Sequence, residues 1–307
     1  MKDFLLSSIK VKDVFKSNIV RRPVDLQGWH SSDPLLVKAV KSSGNFVAVE
    51  VGAWKGLSTI ALAQAIKDSE STNAGPQRET RTHVGGGCVV AVDTFLGSAE
   101  HYLSPETSEN ASIGLSARGE LNLLGTFISN IEHFNLQDRV IALPLDSQSA
   151  ARLVSEANIR PNLVHIDAGH SYLSVMHDLI SWFEILKPGG TMVCDDYKTW
   201  RSVRQAINAF KSFTEVVNFQ TSENKCSFEK PTAEFIPVGL AKTKQNDASL
   251  LGDKYILKAL MSENILLRDI IKASERKYVA VQSSLSWRIT KPLRKIRKYL
   301  PKMDSTS

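Results

Sequence analysis

Cysteine is scarce in this chain: three in 307 residues, Cys88, Cys194 and Cys226. Their spacing matches no zinc-binding pair, and two of them sit inside apolar, strand-like runs, so reduced core thiols of a cytoplasmic protein are expected. Also missing is any apolar run near the roughly 18 residues that span a bilayer. The first stretch, MKDFLLSSIKVKDVFK, is broken by charge every few residues, which argues against a secretory leader or an anchor. No acidic residue lies between Arg288 and Lys302, where seven Lys or Arg occur, so the net charge of +6 belongs largely to this tail. No internal repeat is visible. What is present is a 42% hydrophobic composition, enough to bury one large core with a smaller extension and to exclude disorder throughout.

Short apolar runs alternate with helix-period segments. FVAVEVG, CVVAVD, RVIALPLD, LVHID and TMVCDD read as strands; helices are expected over about Leu57 to Lys67, Leu121 to Phe134, Ala150 to Ala157 and Tyr172 to Leu186. Continuous apolar strands separated by helices predict a doubly wound α/β domain, a parallel sheet covered on both faces. WRSVRQAINAF then predicts a helix burying Val203, Ile207 and Phe210, followed by strands in TEVVNF and EFIPVGLAK. The organisation expected is an N-terminal arm over 1–44, a core domain over 45–244 and a helical, basic extension over 245–307. The Leu/Ile-rich run from Asp253 to Val281 suits a partner helix or a short coiled coil, and with it a homo-oligomer. Two polar inserts interrupt the alternation. Lys67 to Gly87 reads as a surface loop, and Gly97 to Glu120 lies on the ligand side of the sheet, where it is positioned to act as a lid.

Ligands of such sheets sit beyond the carboxyl ends of the strands. There VEVGAWKGLS places Gly52 and Gly56 between a strand and a helix, suiting a tight turn and a close backbone approach to a ligand, or simply a strand-to-helix turn. Asp93 ends the next strand, where an acid binds ribose hydroxyls or caps a loop. Asp146 and Ser147 end the third, beside an adenine edge or as a helix cap. HIDAGHSY ends the fourth strand with Asp167 and His170, and VCDDY ends the fifth with Asp195 and Asp196. Neighbouring strands lie about 4.8 Å apart, so these groups converge. Three carboxylates there would repel one another unless a cation sat among them. The oxygen-only set Asp167, Asp195 and Asp196 suits Mg²⁺; a salt bridge to Lys198 or Arg201 is the structural alternative.

VEVGAWKG, an acid-ended second strand and HIDAGHSYLSVMHDLISWFEILKPGGTMVCDDY together resemble the class I S-adenosylmethionine (SAM)-dependent methyltransferases. Within them the similarity is to the metal-dependent branch of macrocin- and mycinamicin-type sugar O-methyltransferases and cephalosporin hydroxylase-like proteins, over roughly Asp25 to Lys242. Dinucleotide oxidoreductases fit less well, because GAWKG lacks the GxGxxG spacing. The resemblance implies a Rossmann-like sheet of about seven strands with the last antiparallel. It implies SAM held by Glu50, Gly52, Ala53, Trp54, Gly56 and Ser58 at the methionine end, Asp93 and Thr94 at the ribose, and Asp146 and Ser147 at the adenine, with Asp167 alongside. It further implies Mg²⁺ on Asp167, Asp195 and Asp196, with Asp167 and His170 as the catalytic residues and His170 the base. A helix cap near Ser171 is the alternative for His170. Several relatives carry a second Asp where this chain has Gly169, so no base is available there.

For the acceptor, Trp29 and His30, in a segment resembling the substrate cover of these proteins, and Tyr172 and Tyr197 are the expected contacts; anchoring of the arm is the alternative for Trp29. SSLSWRITKPLRKIRKYL resembles a C-terminal segment of bacterial glycan-building enzymes, which points to polysaccharide or glycolipid assembly. Its apolar and basic residues interleave as in a segment lying on anionic lipid at the inner face of the membrane. No nucleic-acid module is present. A glycan or other small-molecule acceptor is therefore expected. Methylation of a phenolic or other natural product, a hydroxylase-like activity and a non-catalytic glycan-assembly role remain as alternatives.

Overall fold

The computed structural model describes residues 1–28, 33–40, 46–73, 86–97 and 123–232. The expected lid at 97–120 lies outside them beyond Gly97, as do Trp29, His30, most of the 67–87 insert, EFIPVGLAK and the whole 245–307 extension.

Seven strands form one sheet: β1 (Val47–Val51), β2 (Cys88–Asp93), β3 (Val140–Pro144), β4 (Leu163–Ile166), β5 (Thr191–Cys194), β6 (Val217–Thr221) and β7 (Cys226–Glu229), in the order β3-β2-β1-β4-β5-β7-β6. The first five are parallel and β7 runs antiparallel between β5 and β6. This is the doubly wound, Rossmann-like sheet expected. β1, β4 and β5 are buried at every position, as strands covered on both faces must be.

The helices are α1 (Lys2–Ile9), α2 (Pro34–Lys38), α3 (Leu57–Asn73), α4 (Leu123–His133), α5 (Ser147–Glu156), α6 (Tyr172–Ile185) and α7 (Arg201–Phe213). α2, α3 and α4 bury Leu36, Leu62, Ile66, Phe127 and Ile131 against Ala48, Val89 and Ala91 on one face of the sheet. α5, α6 and α7 pack in succession and cover β2 and β4. Local chemistry sets their starts. The Asp146 carboxylate accepts from Ser149 N–H to cap α5, and the Ser171 hydroxyl accepts from Ser174 N–H to cap α6. α6 stops before Lys187-Pro188-Gly189, where Gly189 takes φ +71°.

The C-terminal edge departs from expectation. The antiparallel strand beside β5 is CSFE, with Cys194 paired to Cys226; EFIPVGLAK lies outside the described residues. Four residues with one aromatic carry little strand signal of their own; β7 is a strand because β5 and β6 offer it two edges. All three cysteines are free and buried. Among the described residues no helix is long and apolar enough to cross a membrane.

Candidate active site

Because the first five strands are parallel, their following loops open on one end of the sheet, and there they enclose a cavity of about 650 Å³, within the usual range for a small-molecule site. Twelve of the residues expected at the site line it: Gly52, Ala53, Trp54, Ser58, Asp93, Thr94, Asp146, Ser147, Asp167, His170, Asp195 and Asp196.

The β1 loop is held by its neighbours. Gly52 N–H donates to Val92 O (2.8 Å), and Trp54 N–H to Asp93 Oδ2 (2.8 Å). Gly52 has φ +89°, and a Cβ there would run into the carbonyl of Asp167, so the glycine lets the β1 and β4 loops cross. Gly56 serves packing instead. A Cβ at Gly56 would lie 2.9 Å from the Phe127 ring, so the close approach seen is to α4, and the residue is not among those lining the cavity. Asp93 also accepts from Phe95 N–H (2.7 Å), so it braces its own loop.

At the far end Asp146 is both cavity wall and helix cap, and its hydrogen bonds from Ser149 hold it below the usual carboxylate range. Trp182 Nε1–H donates to Ser147 Oγ (2.9 Å), and Gln148 Nε2–H to Asp178 Oδ1 (3.2 Å). Asp178 was missed from sequence, since it reads as one polar residue on an amphipathic helix. It is buried, and burial pushes its carboxyl up to about 6 against the hydrogen bonds from Ser147 and Gln148.

At the β4 and β5 ends, His170 Nε2 meets Asp196 Oδ2 at 2.9 Å. Asp196 reaches it from φ +58°. The pair fixes the tautomer: Nε2–H faces the carboxylate, leaving Nδ1 as the basic nitrogen. The imidazole stacks on Trp200 (4.5 Å between centroids, 6° between planes), and Ser202 Oγ–H donates to the His170 carbonyl (2.6 Å). Ser171, not His170, caps α6.

Glu50 is brought near the site but not into it. It lies beneath the cavity floor, accepting from the Thr59 hydroxyl, with Oε1 3.2 Å from His165 Nδ1. Burial raises it to about 8, against the Thr59 hydrogen bond and the charge of Lys225. His165, a polar residue inside the apolar run LVHID, was the available signal for this layer. Beyond it lies Lys225, also missed. Its fully buried Nζ pairs with Asp195 Oδ2 and lies 3.4 Å from His165 Nε2. An ammonium only donates, so His165 accepts at Nε2 and carries its proton on Nδ1, facing Glu50. Burial first, then Lys225, keeps this imidazole neutral.

Tyr172 and Tyr197 do not line the cavity; Tyr197 donates its hydroxyl to Asn208 Oδ1 (3.1 Å) and packs its ring on Phe219. The aromatic residues that do are Trp54 and Trp200.

The set expected for Mg²⁺ does not form an open oxygen cage. Asp195 accepts from Asp196 N–H at Oδ1 (2.8 Å) and from Lys225 at Oδ2, and Asp196 Oδ2 is taken by His170. The ligand atoms that converge within 4.8 Å belong to His165, Asp167 and Asp195, and Lys225 Nζ already touches two of these residues. The lysine meeting Asp195 is thus neither Lys198 nor Arg201. The donor set fits a resident ammonium rather than a hydrated dication, which demands near-ideal octahedral oxygen geometry.

The SAM expectation stands differently. The lining holds six aspartates and one histidine and, among the described residues, no lysine or arginine. Such a lining favours a cationic ligand and disfavours a pyrophosphate.

A family model described as a methyltransferase domain matches residues 49–197, the run from β1 to Tyr197 that supplies nearly all of the lining. Among solved structures, the chain is similar to the O-methyltransferase NovP at 16% identity and TM-score 0.45, over 75% of this chain and 99% of that one. It is similar to an O-methyltransferase from Bacillus cereus in complex with SAH at 17% identity and TM-score 0.41, over 74% and 91%. Similarity to the SAM complex of TomG from Streptomyces achromogenes, involved in tomaymycin synthesis, is 12% with TM-score 0.44, over 74% and 90%.

Proposed function

We propose that the chain is a SAM-dependent O-methyltransferase acting on a hydroxyl of a sugar-bearing acceptor. The carrying observation is the sign of the cavity: its charged lining is aspartate, with no lysine or arginine among the described residues. The cofactor supplies, when bound, a methyl group on a positively charged sulfur. Asp93 would hold the ribose, the backbone and side chains of Gly52 to Trp54 and Ser58 the methionine part, and Asp146, Ser147 and Gln148 the adenine end.

His170 Nδ1 takes the proton of the acceptor hydroxyl, and Asp196, hydrogen-bonded to Nε2, stabilises the imidazolium that results. A neutral hydroxyl is a poor nucleophile, so removing this proton as the oxygen attacks is the protein's main chemical task. Trp200 supports a sugar-bearing acceptor: it is 41% exposed and lines the cavity, and one indole face suits the apolar face of a pyranose while the other rests on His170.

The test is calorimetric binding of SAM, then transfer of labelled methyl groups from SAM to panels of sugar and phenolic hydroxyls. SAM binding that survives His170→Ala while turnover falls about 10²- to 10⁴-fold is the expected result. No SAM binding by the wild type would overturn the reading, and transfer to phenols alone would overturn its sugar part.

A further inference from the structure

We propose that Lys225 is the resident cation of this site, standing where a divalent metal would otherwise gather the carboxylates, so that transfer requires no added metal. The inference deepens the methyltransferase reading, which its turnover arm shares; its metal-binding arm does not depend on that reading.

The topology delivers the lysine. β7 is antiparallel to β5, so the residue preceding β7 lies at the carboxyl end of β5, one step beyond the Cys194 and Cys226 pair and beside Asp195. The turn before it is fixed: Ser222 N–H donates to Lys225 O (2.9 Å), Lys225 N–H to Ser222 Oγ (3.0 Å), and the Ser222 hydroxyl to Asp33. The side chain then runs inward, wholly buried, to Asp195 and His165.

Charge accounts for its presence. Asp195, Asp167 and Asp196 crowd one end of the cavity, and Glu50 lies below. Burial, then Asp195, raises the Asp167 carboxyl, and Lys225 is the cation opposing that shift, as it opposes the shift of Glu50. A dication among Asp167, Asp195 and His165 would place two positive centres within a few ångströms, in surroundings with little water to screen them. The ammonium therefore excludes the metal and does its electrostatic work, through a bond to Asp195 rather than by touching the acceptor. Lys225 is in this sense a positioning residue.

The experiment titrates Mn²⁺, read by electron paramagnetic resonance, into the wild type and Lys225→Met, with turnover in parallel with and without EDTA. The wild type is expected to bind no stoichiometric Mn²⁺ and to keep its rate in EDTA. Lys225→Met is expected to lose about 100-fold in turnover, to bind one Mn²⁺, and to regain at least part of the rate with metal. A merely structural lysine would leave metal binding unchanged on substitution. One tightly bound Mn²⁺ in the wild type, or a variant that neither binds nor responds to metal, overturns the proposal. Should Lys225→Met not fold, the wild type decides: stoichiometric Mn²⁺ on it, or a rate lost in EDTA, refutes the proposal, and a rate kept in EDTA without bound Mn²⁺ upholds it. A wild type that fails to bind SAM yet also excludes Mn²⁺ would sink the enzyme reading while leaving the resident cation intact.

Discussion

Lys55 and Asp25 form an ion pair whose two halves differ sharply in environment, so cutting it from either side should give unequal results. Lys55 Nζ lies 2.6 Å from Asp25 Oδ2 and 2.6 Å from Gln27 Oε1; the lysine side chain is 1% exposed, the aspartate 41%. The pair fastens the N-terminal arm to the β1 loop, helped by Asn130, which accepts from Asp25 N–H and donates to the carbonyls of Asp25 and Lys55. Asp25→Ala strands a buried ammonium. Removing one partner of a buried pair costs about 3–5 kcal/mol, and the low end applies because Gln27 remains. Lys55→Met fills the same volume with apolar atoms and leaves Asp25 open to water, so it should cost about 1 kcal/mol.

For a domain of this size 1 kcal/mol moves Tm by about 2–4 °C, so Asp25→Ala should lose roughly 6–12 °C and Lys55→Met a few degrees at most. The double variant should sit near Lys55→Met, because it no longer strands a charge. Urea melts of the three, with limited proteolysis to follow release of residues 1–28, measure this directly. Equal losses, or a larger loss for Lys55→Met, would refute the argument that desolvation of the ammonium, rather than anchoring of the arm, sets the energetics.

Asp178 gives a pH signature. Its folded-state pKa of about 6 lies above the unfolded value of 3.8, so the native state binds the proton more tightly. Stability from this group is therefore highest below about pH 4 and falls as pH rises through about 6, by up to about 3 kcal/mol. Asp178→Asn should be more stable than wild type at pH 7, with the gap closing by pH 4 in denaturant titrations; a gap independent of pH would exclude the carboxyl as its source. Gly52→Ala combines φ +89° with a collision against the Asp167 carbonyl, so SAM binding should fall at least tenfold, or soluble protein be lost, while Gly169→Ala, whose Cβ meets only Ser174, should be tolerated. Trp200→Ala should raise acceptor KM with SAM affinity unchanged; an unchanged KM would remove the indole from the acceptor site.

How much of this was legible in sequence follows the range of the forces involved. VAVEV, CVVAV and LVHI announce themselves, because a strand buried on both faces is apolar at nearly every position. Likewise Asp93, Asp146, Asp167 and Asp195 stand at strand ends by composition alone, and the parallel sheet brings those ends together. At Gly56 the sequence signals that a Cβ is unwelcome but not that the Phe127 ring is what would meet it. CSFE was passed over because its pairing is supplied by β5 and β6 rather than by its own pattern. With CSFE went Lys225, whose role depends wholly on the direction in which that short strand runs.

That omission bears on the chemistry more than on the fold. From the carboxylates alone, Asp167, Asp195 and Asp196 require a counter-charge, and a hard dication is the natural supply. Once β7 is seen to run antiparallel, the counter-charge comes from the chain itself, and the acids divide by what they face. Asp195 turns down to Lys225, Asp196 turns to His170, and Asp167 lines the cavity with its carboxylate within 4.8 Å of the ligand atoms of Asp195 and His165. The balance is spatial as well as numerical: the cation lies beneath the floor, and the other aspartates line the cavity above it. An anionic surface over a buried cation keeps the carboxylates in place without neutralising the face that a cationic ligand would meet. A dication set among the same oxygens would cancel that face, and the arrangement therefore ties two observations, the absence of lysine and arginine from the lining and the complete burial of Lys225, to one electrostatic requirement.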